Sequence, residues 1–128
     1  MHMDRIKILI AEDDQVSFAY LNELLRHWNA QIVQAQNGIQ ALDAVRQDPD
    51  IALALIDIKM PLMSGYDAAR EIRKLRSDLP LIAQTAYALN EERIHILEAG
   101  FDDYLTKPIR REELLQALRK YLPFLRTD

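Results

Sequence analysis

The chain has 128 residues and a mass of 14.9 kDa, the size of one ordinary domain, and its 49% hydrophobic and 28% charged residues suit a soluble globular protein. It has no cysteine, which excludes disulfides, thiolate metal centres and cysteine nucleophiles; its three glycines, Gly38, Gly65 and Gly100, lie too far apart for a dinucleotide fingerprint or a Walker phosphate loop. A formal charge of −4, from 20 acids and 16 bases, argues against general affinity for nucleic acid or anionic membrane.

No apolar run approaches the ~18 residues of a membrane span or leader. The chain reads as cytoplasmic, and Met1-His2-Met3 as residues ahead of a native start that carry no weight. The first apolar run, Ile6 to Ala11, is short and rich in β-branched residues, as a strand buried on both faces should be. Glu12, Asp13 and Asp14 follow at once. Asp14 is placed to cap a helix from about Gln15, with Phe18, Leu21, Leu25 and Trp28 in one apolar stripe. Gln31 to Ala35 is a more polar strand suited to an edge. Asn37-Gly38 turns the chain into a helix from Ile39 to Gln47, with Ile39, Leu42 and Val45 inward.

Ile51 to Ile56 is the most apolar run and stops at Asp57. A loop through Gly65 leads to a helix from about Tyr66 to Leu75, where Arg70, Arg73, Lys74 and Arg76 read as a solvated face. Leu81 to Thr85 is a fourth strand, and Asn90 caps a helix stopped by Gly100. Asp103 to Thr106 is a fifth strand ending at Lys107-Pro108. The last helix runs from about Arg111 to Leu122, buries Leu114, Leu115, Leu118, Tyr121 and Leu122, and ends at Pro123. Strand and helix thus alternate five times in a single domain (core about 6–122). That implies a parallel α/β sheet with helices on both faces.

Open parallel sheets bind ligands outside the carboxyl ends of their strands. Glu12 and Asp13 follow the first strand, Asp57 the third, Thr85 ends the fourth and Lys107 follows the fifth. Three carboxylates, a hydroxyl and an ammonium therefore converge on one rim. Clustered carboxylates repel one another unless a hard cation such as magnesium joins them. A carboxylate beside that cation can attack phosphorus, while a lysine and a hydroxyl hold the other phosphoryl oxygens.

The runs Ile8 to Asp14, Asp57 to Gly65, Thr85-Ala86 and Asp102 to Pro108 resemble those of a response-regulator receiver domain of two-component signalling, over about Ile6 to Leu122. The wording is closer to receivers of hybrid histidine kinases than to those of DNA-binding regulators. The resemblance implies a flavodoxin-like, doubly wound sheet of order 2-1-3-4-5 and an aspartyl-phosphate phosphorelay. In that reading Asp57 is the phosphoacceptor and Lys107 pairs with the phosphoryl group, with Lys107-Pro108 cis. Asp13, Asp57 and the Lys59 backbone carbonyl ligate magnesium (manganese able to substitute), Glu12 acts through a water, and Thr85 and Tyr104 form the switch. The implied partners are a histidine kinase or histidine phosphotransfer domain, and a second copy through the face of the fourth helix, fifth strand and fifth helix. No direct contact with nucleic acid or membrane is implied.

Lys59 and Tyr87 depart from the commonest pattern and flank the path of a hydrolytic water, so both are candidates for tuning the lifetime of the acyl phosphate. Arg110 stands where a capping side chain is common. Trp28 reads as packing at a helix end. His27 and His95 read as surface residues, so the phosphate donor lies elsewhere. Three alternatives stay open on the residues alone. A haloacid-dehalogenase-like phosphatase needs a second acid two after the first, where this chain has Lys59. A flavodoxin-like nucleotide or flavin binder would meet repulsion from Glu12-Asp13-Asp14. A scaffold without chemistry would not need all five rim residues.

Overall fold

The computed structural model describes residues 6–87 and 89–123, so the reading of Met1-His2-Met3 lies outside the described residues. Five strands, β1 (Ile6–Ala11), β2 (Ala30–Ala35), β3 (Ile51–Asp57), β4 (Leu81–Thr85) and β5 (Asp103–Thr106), alternate with five helices, α1 (Gln15–His27), α2 (Gly38–Gln47), α3 (Gly65–Leu75), α4 (Asn90–Glu98) and α5 (Arg111–Tyr121). The sheet is parallel throughout, in the order β2-β1-β3-β4-β5. This is the doubly wound arrangement expected.

Alternate strand residues feed two cores, because successive side chains point to opposite faces. Leu9, Ala54, Ile56 and Leu81 pack on α2, α3 and α4 through Leu42, Val45, Ile72 and Ile96. Ile8, Ile10, Leu53, Leu55 and Ile82 pack on α1 and α5 through Leu21, Leu25, Leu114 and Leu118. The polar strand β2 lies at an edge, with Gln31 and Gln34 exposed. Trp28 is buried at the end of α1, with the Arg111 guanidinium 5.4 Å from its ring centroid. His27 and His95 are both exposed.

Asp14 caps α1 through Ser17 N at 2.9 Å, Asn37 caps α2, and Ser64 caps α3. Two helix starts go bare. Asn90 is the first helical residue of α4 and Leu89 occupies the capping position without a side-chain bond, which corrects the expectation that Asn90 caps it. Arg110 likewise gives α5 no side-chain cap. Acidic residues in both first turns, Glu91 and Glu92 in α4 and Glu112 and Glu113 in α5, offset the helix dipole instead. Gly100 adopts a φ of +102° after α4, the left-handed stop that its position implies.

Ile39 is not inward as expected; it is 45% exposed. The buried stripe of α2 runs through Gly38, Ala41, Leu42 and Val45, because Gly38 sits directly on the Met63 carbonyl and turns the next residue outward.

Two of the four cations read as a solvated face are structural. Arg70 and Lys74 are surface residues paired with Asp67 and Glu71. Arg73, however, donates to the carbonyls of Leu79 at 2.8 Å and Gly100 at 2.6 Å and to Asp102 at 2.9 Å. The same Asp102 carboxylate accepts the amide of Leu81. Arg76 lies just past α3 and reaches the carbonyls of Pro49 and Ile51. Arg73→Ala removes the donor from the Leu79 and Gly100 carbonyls and the cation from Asp102, and is expected to cost about 2–4 kcal/mol. Arg70→Ala should stay within about 0.5 kcal/mol. Urea midpoints of the two variants measure the contrast.

Candidate functional site

The site lies at the topological switch point, where β1 and β3 are central and their connections run to opposite faces. Glu12 follows β1 and is held by its amide to the Ala35 carbonyl at 2.9 Å; its side chain is fully buried. Its Oε2 accepts the amide of Asp14 at 3.2 Å, which fixes the turn into α1. Asp57 is the last residue of β3 and is 6% exposed. Its Oδ1 accepts the amide of Lys59 at 3.0 Å.

Lys107 follows β5, with its amide on the Thr85 carbonyl at 2.7 Å, and the Lys107-Pro108 bond is cis. Its Nζ donates to Glu12 Oε1 and to Asp57 Oδ2, both at 2.8 Å. Carboxylate oxygens of Glu12, Asp13 and Asp57 all lie within 4.8 Å of one another. Asp13 is exposed and makes no hydrogen bond among the described residues.

Three carboxylates thus face one ammonium. Burial pushes the Glu12 carboxyl above its ordinary value, against the hydrogen bond from Lys107, and the Asp57 charge adds to the rise. Burial lowers Lys107, but its bonds to Asp57 and Glu12 outweigh that and hold it raised and charged. The cluster keeps an excess of oxygen ligands and negative charge, with Asp13 open to solvent. An all-oxygen set of this kind suits a hard divalent cation that retains several waters.

Gly65 makes this geometry available. It opens α3 directly beneath the end of β3, and its amide bonds the Ile58 carbonyl at 3.0 Å. A Cβ there would meet the Asp57 carbonyl oxygen and would lie 2.6 Å from Ile58 Cα.

The sequence placed Glu12, Asp13, Asp57 and Lys107 together, and the structure brings them together. Thr85 is buried at the neighbouring strand end, but its hydroxyl turns away from the carboxylates. It donates toward the Tyr87 carbonyl at 2.8 Å and Glu92 Oε1 at 3.2 Å, and accepts the Tyr87 amide at 3.1 Å. Tyr104 is half-buried on edge strand β5, with Arg93 5.6 Å from its ring centroid. Lys59 lies 5.9 Å from the ring centroid of Tyr87, so the two unusual residues meet at the mouth of the site. Sequence reasoning missed Glu92, which reads only as an acid in a helix's first turn.

This combination of sheet order, acidic triad and bridging lysine defines a class. The family model for the response regulator receiver domain matches residues 8–119, and the chain belongs to that family. It is 35% identical over 120 residues to the sensor protein GacS of Pseudomonas syringae pv. syringae, covering 90% of this chain and 13% of that one. It is 37% identical over 117 residues to the response regulator MprA of Mycobacterium bovis, covering 91% and 50%. The chain therefore spans half or less of the length of these relatives, and sensor kinases and separate regulators match it comparably.

Among solved structures, the receiver domain of sensor histidine kinase PA1611 from Pseudomonas aeruginosa PAO1 superposes with a TM-score of 0.86 at 34% identity, covering 93% of this chain and 98% of that one. That structure holds a magnesium ion in its active-site cleft. The Ssk1 receiver domain of Saccharomyces cerevisiae, solved with the histidine phosphotransfer protein Ypd1, superposes with a TM-score of 0.86 at 26% identity, covering 94% and 91%. The chain is thus a receiver domain, a signalling unit. No helix among the described residues is long and apolar enough to cross a membrane.

Proposed function

We propose that residues 6–122 act as one switch unit in which Asp57 accepts a phosphoryl group from a phosphohistidine. The observation that carries this reading is the Lys107 ammonium, shared at 2.8 Å between Glu12 and Asp57 within the acidic cluster. A carboxylate oxygen of Asp57 attacks phosphorus. The N–P bond of the donor breaks, its electron pair returns to the imidazole nitrogen, and Asp57 is left as an acyl phosphate. Lys107 moves from carboxylate to phosphoryl oxygen and neutralises charge there.

Asp13, Asp57 and the Lys59 carbonyl would hold magnesium directly and Glu12 through a water; such an ion supplies the positive charge that lets a phosphoryl group approach three carboxylates. Manganese would substitute for it. The domain itself catalyses both transfer and the slower hydrolysis. Labelling by a small phosphodonor should require a divalent cation and be released by hydroxylamine, as an acyl phosphate is. Label that persists with the cation chelated, or that resists hydroxylamine, contradicts the reading.

Once phosphate is present, Thr85 is assigned to turn its hydroxyl toward it, and Tyr104 to move inward behind it. The donor is a histidine kinase or a histidine phosphotransfer domain, in line with the Ypd1 complex of the Ssk1 receiver. A cytoplasmic location, a second copy bound through the α4–β5–α5 face, and no direct contact with nucleic acid or membrane complete the proposal. Sedimentation with and without a phosphate mimic tests the pairing.

Lys59 and Tyr87 are assigned to tuning. Their contact screens the approach of water to the acyl phosphate, and Tyr87 is 63% exposed, so it can be changed without loss of packing. Lys59→Asn and Tyr87→Ala are each expected to alter the decay rate of phosphorylated protein severalfold, less than the roughly hundredfold or more of a group that itself transfers the proton. Decay at the wild-type rate in both variants would remove them from this role.

A further inference from the structure

The α4 side of the switch contains a donor–acceptor arrangement that the phosphoacceptor chemistry does not use. Thr85 has one hydroxyl proton and two acceptors, the Tyr87 carbonyl and the Glu92 carboxylate. Glu92 is half-buried in the first turn of α4. On its other side lies Tyr66 of α3, whose buried hydroxyl has no hydrogen-bond partner among the described residues. Burial, reinforced by a hydrogen-bonding pull and the charge of the adjacent Glu92 carboxylate, pushes the Tyr66 phenol up to about 12, so the hydroxyl keeps its proton and already faces Glu92 short of a full bond. A buried donor without an acceptor costs free energy that a partner would recover. The carboxylate that acts on it, Glu92, is the one that Thr85 contacts.

The neighbouring residue strengthens the connection. Arg93 sits over the ring of Tyr104, so consecutive residues of α4 touch both residues assigned to the switch. The helix is short, lacks a side-chain cap and has Ile96 as its buried residue, while Ile94 and Leu97 are 54% and 63% exposed. An element so lightly anchored can change position at small cost.

We propose that Glu92 is a positioning residue that holds Thr85 away from the phosphate site, and that Tyr66 replaces Thr85 as its donor when Thr85 leaves. The exchange keeps a donor on Glu92 and gives the Tyr66 hydroxyl an acceptor. In the observed state Thr85 shares its proton between the Tyr87 carbonyl and Glu92, and Tyr66 lies beside Glu92 without a full bond; in the switched state Thr85 bonds the phosphoryl group and Tyr66 bonds Glu92. The buried phenol thereby biases the switched state, and the Thr85–Glu92 bond biases the resting one. This rests on Thr85 being the switch and Asp57 the acceptor.

The test uses the whole chain, a small phosphodonor with magnesium, and four proteins: wild type, Glu92→Ala, Tyr66→Phe and the double variant. Glu92→Ala should raise the rate at saturating donor about threefold to tenfold, with magnesium affinity unchanged. Tyr66→Phe alone should lower it by a similar factor, since the switched state loses its replacement bond. In the Glu92→Ala background, Tyr66→Phe should have no further effect, because the acceptor it would need is gone. Glu92→Gln, which keeps an acceptor oxygen, should fall between wild type and Glu92→Ala. Wild-type rates in Glu92→Ala, or an equal Tyr66→Phe effect in both backgrounds, would overturn the exchange. Failure of wild type itself to be labelled on Asp57 would instead overturn the reading beneath it.

Discussion

Asp57→Asn is expected to abolish labelling by a phosphodonor, a loss of about a thousandfold or more, as for removal of a nucleophile. The substitution keeps the shape of the side chain. Its carbonyl oxygen can still accept a bond from Lys107, which sits 2.8 Å away in the native site. What disappears is the charge and the second nucleophilic oxygen. Folding should survive, because one of three mutually repelling carboxylates has gone. Magnesium affinity should fall about tenfold, since one direct ligand becomes neutral. The result therefore separates chemistry from stability: a folded protein, weakened in metal binding, with no acyl phosphate. Labelling of Asp57→Asn at a rate near wild type would move the acceptor to another carboxylate.

Gly65→Ala is expected to cost stability and phosphorylation together. The added carbon would enter the space of the Asp57 carbonyl oxygen and lie 2.6 Å from Ile58 Cα. Both neighbours are backbone at the end of the central strand β3, so neither can rotate away as a side chain would. The cost should be about 2–3 kcal/mol, with a fall in melting temperature of roughly 10 °C for a domain of this size. The strain falls on the residue that carries the acceptor carboxylate. Phosphorylation should therefore slow even at temperatures where the variant is folded. Melting within about 1 °C of wild type would mean that α3 can retreat from β3 without penalty.

Much of the fold is legible in the sequence because apolar runs and breaks are local signals. The run from Ile51 ends at Asp57 and the strand ends there too. The alternation of strand and helix fixes a parallel sheet, while its order, β2-β1-β3-β4-β5, came from the family resemblance. The acidic rim is legible because strand ends meet at one edge in any such sheet. What was missed depends on direction rather than on element. Arg73 belongs to a charged helix face by spacing, yet its guanidinium bends back to carbonyls contributed by two later loops. Ile39 has helical spacing to Leu42, but the close approach of Gly38 to Met63 decides which side of the first turn faces in. Asn90 is a good capping residue placed one position too late. Thr85 ends β4 as the apolar run implies, while the rotamer that sends its hydroxyl to the Tyr87 carbonyl and Glu92 instead of the rim has no signature in sequence.

The most direct test of the central claim is transfer from a phosphorylated histidine phosphotransfer protein in the presence of magnesium, followed by borohydride reduction and peptide mapping. The account predicts loss of label from the donor, its appearance on this chain, and reduction at Asp57 alone. Reduction at Glu12 or Asp13, or transfer that proceeds undiminished in Asp57→Asn, would contradict it.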